Sequence, residues 1–280
     1  MKKLLLFTFI LSSTILFAQD NTKTSNWKKE GNLNLLFNQS AFNNDWLGGG
    51  TSNLAGSLNF DYKFNYTKND WTWDNRLNIA YGLTKIDDDD ITKSDDRFEF
   101  NSIVGKKASK NWSYSGIINF KTQMDRGEDK DGEYISHFFS PAYLQTGIGL
   151  FYKKSDNFSL NIAPLTSKLI LVNSQFTDEP GETSFGVEEG ETSRFEFGTS
   201  ISLYAKYDVF NNVSFENILN LYSNYLEDVQ NVDVDYTLNI VMKINKYLST
   251  NITVQAIYDD NAIKALQVKE VFGLGVNYTF

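Results

Sequence analysis

The most constraining feature of this chain is an alternation of apolar and polar residues that recurs from residue 28 to Phe280. In residues 58–66, Leu, Phe and Tyr occupy every second position, and Asn, Asp and Lys occupy the positions between them. Residues 232–244 repeat the pattern with Val, Tyr, Leu, Ile and Met. A period of two places successive side chains on opposite faces of a β-strand. The chain is therefore predicted to be all-β.

The alternation predicts about twelve strands. Short connections near 67–70, 108–110, 154–157, 208–212 and 245–247 alternate with longer ones near 39–51, 84–96, 124–136, 174–192, 227–231 and 259–265. Five short turns and six longer loops are what an up-and-down barrel of twelve strands requires when both chain ends lie on one side. Pro164 lies inside one predicted strand and cannot donate a ladder hydrogen bond, so a bulge is expected there.

The composition indicates that the apolar face of the strands contacts a membrane rather than water. Aromatic residues make up 15% of the chain, yet the mean hydropathy is only −0.36. Aromatic residues cluster beside the short turns, as interfacial girdles do: Trp71, Trp73, Trp112, Phe158, Tyr207 and Tyr247. A Lys or Arg that faces lipid at the bilayer midplane costs roughly 2–4 kcal/mol, so the polar face must line a lumen. The prediction is a transmembrane antiparallel up-and-down β-barrel in the cell outer membrane.

The N-terminal residues resemble an export signal. Met1-Lys2-Lys3 forms a basic region, Leu4 to Phe17 is largely apolar, and Ala18 is the expected last residue before cleavage. The apolar run is too short to cross a bilayer of roughly 30 Å as a helix. We therefore expect a signal peptide over residues 1–18, a short periplasmic segment over 19–27 and the barrel over 28–280.

Several short strings resemble those of a DUF3078-type family of uncharacterised Bacteroidota outer-membrane proteins. They are Trp73-Asp74-Asn75, Tyr81-Gly82-Leu83, Phe120-Lys121-Thr122-Gln123, Pro141-Ala142-Tyr143, Asn212-Val213, Tyr258-Asp259-Asp260, and a segment from Asn44 to Gly50 in which Asp45 stands between Asn and Trp. The resemblance implies a barrel and an outer-membrane location. It implies no activity and no functional residues.

The candidate functional residues are the charged side chains that share the polar face. They are Asp61, Lys63, Asp74, Arg76, Glu99, Lys121, Glu196, Glu216, Asp235, Lys243 and Lys269. Two interpretations stay open. The charges line a narrow pore for small polar solutes, or they pair across the interior and close it, which leaves a structural or interaction barrel. Eight-stranded barrels fill with side chains and sixteen-stranded barrels leave a channel, so twelve strands do not decide between them.

The longer loops are acidic. Loop 84–96 has six aspartates against two lysines, loop 124–134 five acidic residues against two basic ones, and loop 174–192 six acidic residues and no base. These loops are candidates for binding divalent cations that bridge to lipopolysaccharide, or are simply solvated. The net charge of −9 argues against nucleic acid as a partner. Outer-membrane lipid and lipopolysaccharide are the expected surroundings, and barrel-assembly machinery is the expected partner during insertion.

Little in the sequence predicts catalysis. The chain has no cysteine and one histidine, so neither a thiolate nor a histidine-cluster metal site is expected. His137, flanked by Ser136 and Ser140, is the only candidate for a lipid-active hydrolase, since a serine nucleophile needs an adjacent base. Gly48-Gly49-Gly50 is followed by Thr51 and does not form a phosphate-binding P-loop. The chain is expected to be no enzyme and to need no cofactor.

Overall fold

The computed structural model describes residues 25–43, 50–129, 132–178 and 183–280. The predicted signal peptide over residues 1–18 therefore lies outside the described residues. The strands, in chain order, are β1 Trp27–Ser40, β2 Asn53–Lys68, β3 Trp71–Ile86, β4 Thr92–Lys107, β5 Trp112–Thr122, β6 Gly127–Glu128, β7 Tyr134–Ser136, β8 Ala142–Ser155, β9 Phe158–Leu171, β10 Ser193–Phe210, β11 Val213–Asn224, β12 Asp233–Lys243, β13 Leu248–Asp259 and β14 Ile263–Thr279. A short 3-10 helix, Ser174–Phe176, follows β9.

Twelve of these strands form one closed antiparallel barrel. The order around the ring is β1, β14, β13, β12, β11, β10, β9, β8, β5, β4, β3 and β2. Closure is made by residues 32–37 of β1, which pair with residues 274–279 of β14. An open sheet would leave the backbone N–H and C=O groups of its two edge strands unpaired, and closing the ring pairs them along this seam. The predicted fold class, a closed all-β barrel of twelve antiparallel strands, is confirmed.

The connections divide the barrel into two unlike ends. Five short turns, at 69–70, 108–111, 156–157, 211–212 and 244–247, lie at what we call the turn end. The loops 41–52, 87–91, 123–141, 172–192, 225–232 and 260–262 lie at the loop end. The prediction of long loops over 84–96 and 259–265 is wrong in length. Strand β3 continues to Ile86 and β4 begins at Thr92, and only three residues join β13 to β14. The loops are shorter than predicted because the hydrogen-bonded ladders continue beyond the apolar alternation.

Strand β9 contains the predicted bulge. On the β8 side the register shifts between Ile148 and Leu150, and on the β10 side it shifts between Gly198 and Ser200, both opposite Pro164. The extra residue in β9 reverses which positions face inward. Asn161 is buried inside the barrel below the bulge, and Lys168 is buried inside it above the bulge.

The outer face of the barrel is apolar and exposed. Along β14 the outward residues Phe272, Leu274, Val276 and Tyr278 are each 44% or more exposed, while the inward glycines at 273 and 275 are buried. An exposed apolar surface of this extent marks contact with a membrane or a partner. Across the described ranges, no helix is long and apolar enough to cross a bilayer.

One polar residue on the outer face is fully partnered. Asn75 shares that face with Leu77, yet it is only 2% exposed. Its amide donates to the carbonyl of Phe64 at 3.0 Å, and its Oδ1 accepts a hydrogen bond from Ser102 at 2.9 Å. The Ser102 Oγ in turn accepts from the indole Nε1 of Trp73 at 2.8 Å. The polar group is therefore tolerated because its donors and acceptors are satisfied within the wall.

Candidate functional site

The candidate site is the polar lumen. It contains a cavity of about 1070 Å³. Residues from the turn end, such as Lys28 and Asp156, and residues from the loop end, such as Asp129 and Thr183, line the same cavity. The space therefore reaches from one end of the barrel to the other.

The middle of the lumen is crossed by an ion-pair network centred on Arg76. Arg76 donates through Nε to Asp61 at 2.5 Å and through Nη2 to Glu216 at 3.3 Å. Strands β3 and β11 lie six places apart in the ring of twelve, so the pair Arg76–Glu216 joins opposite walls. The hydroxyl of Tyr204 donates to Glu216 at 2.9 Å and accepts from Lys63 at 3.1 Å.

A second ion pair crosses the lumen nearer the loop end. Lys121 on β5 contacts Asp235 on β12 at 2.9 Å, and these strands lie five places apart in the ring. The other carboxylate oxygen of Asp235 accepts a hydrogen bond from Gln255 at 2.9 Å. Two wall-to-wall contacts at different heights thus narrow the space that is open to a solute.

A third cluster surrounds Lys168 on β9. Its ammonium lies 3.0 Å from Asp233, 3.3 Å from Glu196 and 3.6 Å from Asp259. Arg194 shares Glu196 at 2.9 Å. Sequence alternation alone missed Lys168. Even-numbered residues before the bulge face outward, so the alternation predicts that Lys168 faces outward as well. Pro164 is the signal that could have placed it inside.

At the turn end the lumen is bordered by a chain of ion pairs. Lys153 contacts Asp74 at 2.7 Å and Asp156 at 3.4 Å, and Asp156 also contacts Lys28 at 2.6 Å. Asp156 lies in the turn 156–157, and its hydrogen bond from Lys28 lowers the pKa of its carboxyl below the ordinary value. Sequence reasoning named Asp74 but not its partner Lys153.

The remaining predicted lumen residues have different surroundings. Lys269 contacts Asp95 at 2.8 Å, and the carboxylate of Glu99 accepts from Asn101 at 2.9 Å and from Asn119 at 3.3 Å. Lys243 is exposed at the turn end, beyond the cavity lining.

Arg97 differs from the other basic residues of the cavity wall. It lines the cavity, and its Nε is buried with no hydrogen-bond partner among the described residues. Within the same ranges Arg97 makes no ion pair, whereas Arg76, Lys121 and Lys168 all do. Arg97 is therefore an arginine of the cavity wall whose charge is not committed to an ion pair in the described part of the chain.

Two loops fold over the loop end of the cavity. Loop 123–141 carries the small β6–β7 hairpin, and both it and loop 172–192 contribute residues to the cavity wall. The loops contact each other: the backbone N–H of Asn173 donates to the Ser140 Oγ at 2.8 Å, and the ring of His137 packs edge-on against Phe176 at 5.1 Å. Ile170 at the end of β9 packs with Val172 and Val187 of the second loop in a small buried apolar cluster.

The serines beside His137 are committed to other contacts. Ser136 Oγ donates to Gln123 at 3.0 Å, Ser140 accepts from Asn173, and His137 Nδ1 lies 2.7 Å from the carbonyl oxygen of Phe138. The structure does not bring the imidazole and either hydroxyl into the nucleophile–base pairing that a serine hydrolase needs. Over the described residues, no group of three or more His, Cys, Asp or Glu side chains could hold a metal ion.

Residues 37–127 match the model of a family described as "Protein of unknown function (DUF3078)". The strings at Trp73, Tyr81 and Phe120 lie inside that range, and those at Pro141, Asn212 and Tyr258 lie beyond it. The match supports the family resemblance over this part of the chain. The assignment to Bacteroidota stays a prediction. No curated protein matches the sequence significantly.

Solved structures with a similar course of the chain come from several bacteria. An outer membrane channel from Pseudomonas putida F1 is 9% identical, with a TM-score of 0.41 over 93% of this chain and 98% of that one. The translocator domain of the autotransporter NalP from Neisseria meningitidis is 9% identical, with a TM-score of 0.35 over 100% and 96%. The outer membrane channel DcaP of Acinetobacter baumannii is 9% identical, with a TM-score of 0.32 over 94% and 100%. At these scores, the fold assignment rests on the strand pairing of this chain itself.

Proposed function

We propose that this protein is an outer-membrane β-barrel that forms a narrow pore for small polar solutes. The observation that carries the proposal is the polar cavity of about 1070 Å³, which takes lining residues from both ends of the barrel. The exposed apolar outer face supports the membrane location, because a closed barrel satisfies its backbone hydrogen bonds internally and can face lipid.

The two ends suggest an orientation. Outer-membrane barrels have short periplasmic turns and longer external loops. The turn end then faces the periplasm, and the acidic loop end faces outward among lipopolysaccharide. Divalent cations at the acidic loops and assistance from barrel-assembly machinery during insertion belong to this proposal.

A closed structural or interaction barrel is the second candidate. The contacts Arg76–Glu216 and Lys121–Asp235 favour it, because they join opposite or nearly opposite walls at two heights. The two candidates differ in one physical property, namely whether ions pass beside these contacts.

Conductance in planar bilayers separates the candidates. We would compare the wild type with the double variant Lys121→Ala/Asp235→Ala, which removes one crossing contact without changing the net charge. The matched control is Arg126→Ala/Glu128→Ala, which removes an exposed loop ion pair outside the cavity wall. Stable wild-type steps that increase only in the first variant support a constricted pore. A silent wild type with a conducting first variant identifies a barrel sealed by its ion pairs, and silence in all three supports the structural candidate.

A further inference from the structure

The turn end carries a ring of exposed lysines that the pore does not use. Within the described residues, those outside the cavity wall are Lys29, Lys68, Lys106, Lys107, Lys110, Lys154, Lys243 and Lys246, which we call the basic rim. Each is exposed, and none makes an ion pair with a described residue. The ion pairs at this end use Lys28 and Lys153 instead. Since only a few acidic residues share the turn end, the rim has an uncompensated positive charge.

The basic rim follows the circumference and is not gathered into one patch. Its members come from β1, β2, β4, β8 and β12 and from the turns 108–111 and 244–247. These strands are spread around the whole ring. A protein partner would touch one side of such a ring, whereas a lipid annulus surrounds the barrel and touches its outward members on every side.

The outward members of the rim are interleaved with the aromatic girdle. Lys68 and Lys106 both pair in register with Trp71, and the ammonium of Lys106 lies 5.6 Å from the centre of a Trp71 ring. The Lys246 ammonium lies 4.6 Å from the Tyr247 ring. Aromatic rings of a transmembrane barrel lie at the level of the lipid headgroups, and lysine stems extend along apolar surface to place the ammonium among them.

We propose that the basic rim binds the phosphates of anionic glycerophospholipids in the leaflet at the turn end. The ligand chemistry follows from the rim itself: uncompensated ammonium groups at headgroup depth attract anionic lipids, by about fivefold in binding for each lysine near the surface. The inference rests on the membrane location of the proposed function but not on an open pore. A zwitterionic lipid carries no net charge and gains no such attraction.

Tryptophan fluorescence can test this directly, because Trp27, Trp71, Trp73 and Trp112 all lie at the turn end. Trp46, which lies outside the described residues, would be replaced by Phe to remove its signal. The full chain would be folded into vesicles in which brominated phosphatidylglycerol or brominated phosphatidylcholine competes with an unbrominated lipid. The measured quantity is the ratio of the two lipids' binding constants, obtained from quenching.

We expect the wild type to bind phosphatidylglycerol several-fold more tightly than phosphatidylcholine. This ratio should fall by threefold or more in Lys68→Gln/Lys106→Gln. It should also fall in high salt, because salt screens exposed charges. The matched control, Lys85→Gln/Lys264→Gln, removes two exposed lysines near the loop end and should keep the wild-type ratio. Heat-dependent gel mobility would confirm that all variants are folded.

Two results would overturn the inference in distinguishable ways. Strong quenching by both lipids with equal binding constants in the wild type leaves the barrel in the bilayer but removes the lipid preference. No quenching by either lipid removes the membrane location and the lipid binding together.

Discussion

The ring of Phe280 lies directly over Gly31, across the seam that closes the barrel. The two residues also exchange backbone hydrogen bonds: Gly31 N–H donates to the Phe280 carbonyl at 2.8 Å, and Phe280 N–H donates to the Gly31 carbonyl at 3.0 Å. A Cβ atom at Gly31 would overlap the Phe280 ring. The seam between the first and last barrel strands therefore depends on the absence of a side chain at this position.

Replacing Gly31 by Val should weaken the seam. Overpacking of this kind costs about 1–3 kcal/mol, because the ring must leave its place against β1. Urea unfolding in detergent micelles measures the loss. Gly116→Val is the control: Gly116 also lies in a strand, and a Cβ there meets nothing within 4 Å. Equal stability of the two variants would show that the contact between Phe280 and Gly31 contributes nothing.

Replacing Arg76 by Ala should destabilise the barrel far more than replacing an exposed lysine at the turn end. The change leaves the carboxylates of Asp61 and Glu216 without their shared cation, and such a loss costs about 3–5 kcal/mol in a buried site. Adding Glu216→Gln should recover part of the loss. Lys243→Ala, at an exposed lysine, should stay within about 0.5 kcal/mol of the wild type. A fully stable Arg76→Ala variant would contradict the network.

Replacing Ser102 by Ala should cost about 1–3 kcal/mol, because it leaves Asn75 Oδ1 and the Trp73 indole without their partner. The double variant Asn75→Leu/Ser102→Ala should be more stable than Ser102→Ala alone, since it removes the unsatisfied amide from the outer face. Unfolding followed by tryptophan fluorescence reports both. If the double variant is the less stable of the two, the hydrogen-bond argument is wrong.

Asp156 should titrate below its ordinary pKa of 3.8, because its hydrogen bond from Lys28 favours the carboxylate. A lowered folded pKa means that the pair stabilises the turn above pH 3.8 and that this contribution is lost as the pH falls through the folded pKa. Carboxyl NMR of the folded barrel would locate the midpoint. Lys28→Met should move it upward, and an unchanged midpoint would show that the contact does not form in solution.

Much of the fold follows from the sequence, because a closed barrel uses one rule along its whole length. The alternation at 58–66 and 232–244 predicted the cores of β2 and β12, and the short turns between strands set the up-and-down order. The strand ends were less predictable. Residues 92–96 are polar throughout, and they join β4 through backbone pairing with β3 that no side-chain pattern reports.

The partners inside the lumen could not be predicted in the same way. Parity shows that Arg76 and Glu216 face inward, but their contact depends on the stagger accumulated over six strands. Lys153 was missed as the partner of Asp74 for the same reason, whereas Lys168 was missed because the bulge at Pro164 reverses its parity. Arg97 was missed because a sequence shows which residue is charged but not which charge lacks a partner.

The bulge at Pro164 divides β9 into two segments whose inward-facing positions have opposite parity. Inward residues are odd-numbered up to Ala163 and even-numbered from Thr166 onward, and the neighbouring strands β8 and β10 both register the shift. Straightening the strand at the bulge would therefore give both segments of β9 the same parity. Every side chain on the segment that contains Lys168 would move to the opposite face, and Lys168 would then lie on the apolar outer face of the barrel. A compensating one-residue deletion at the bulge would restore the original orientation of these side chains.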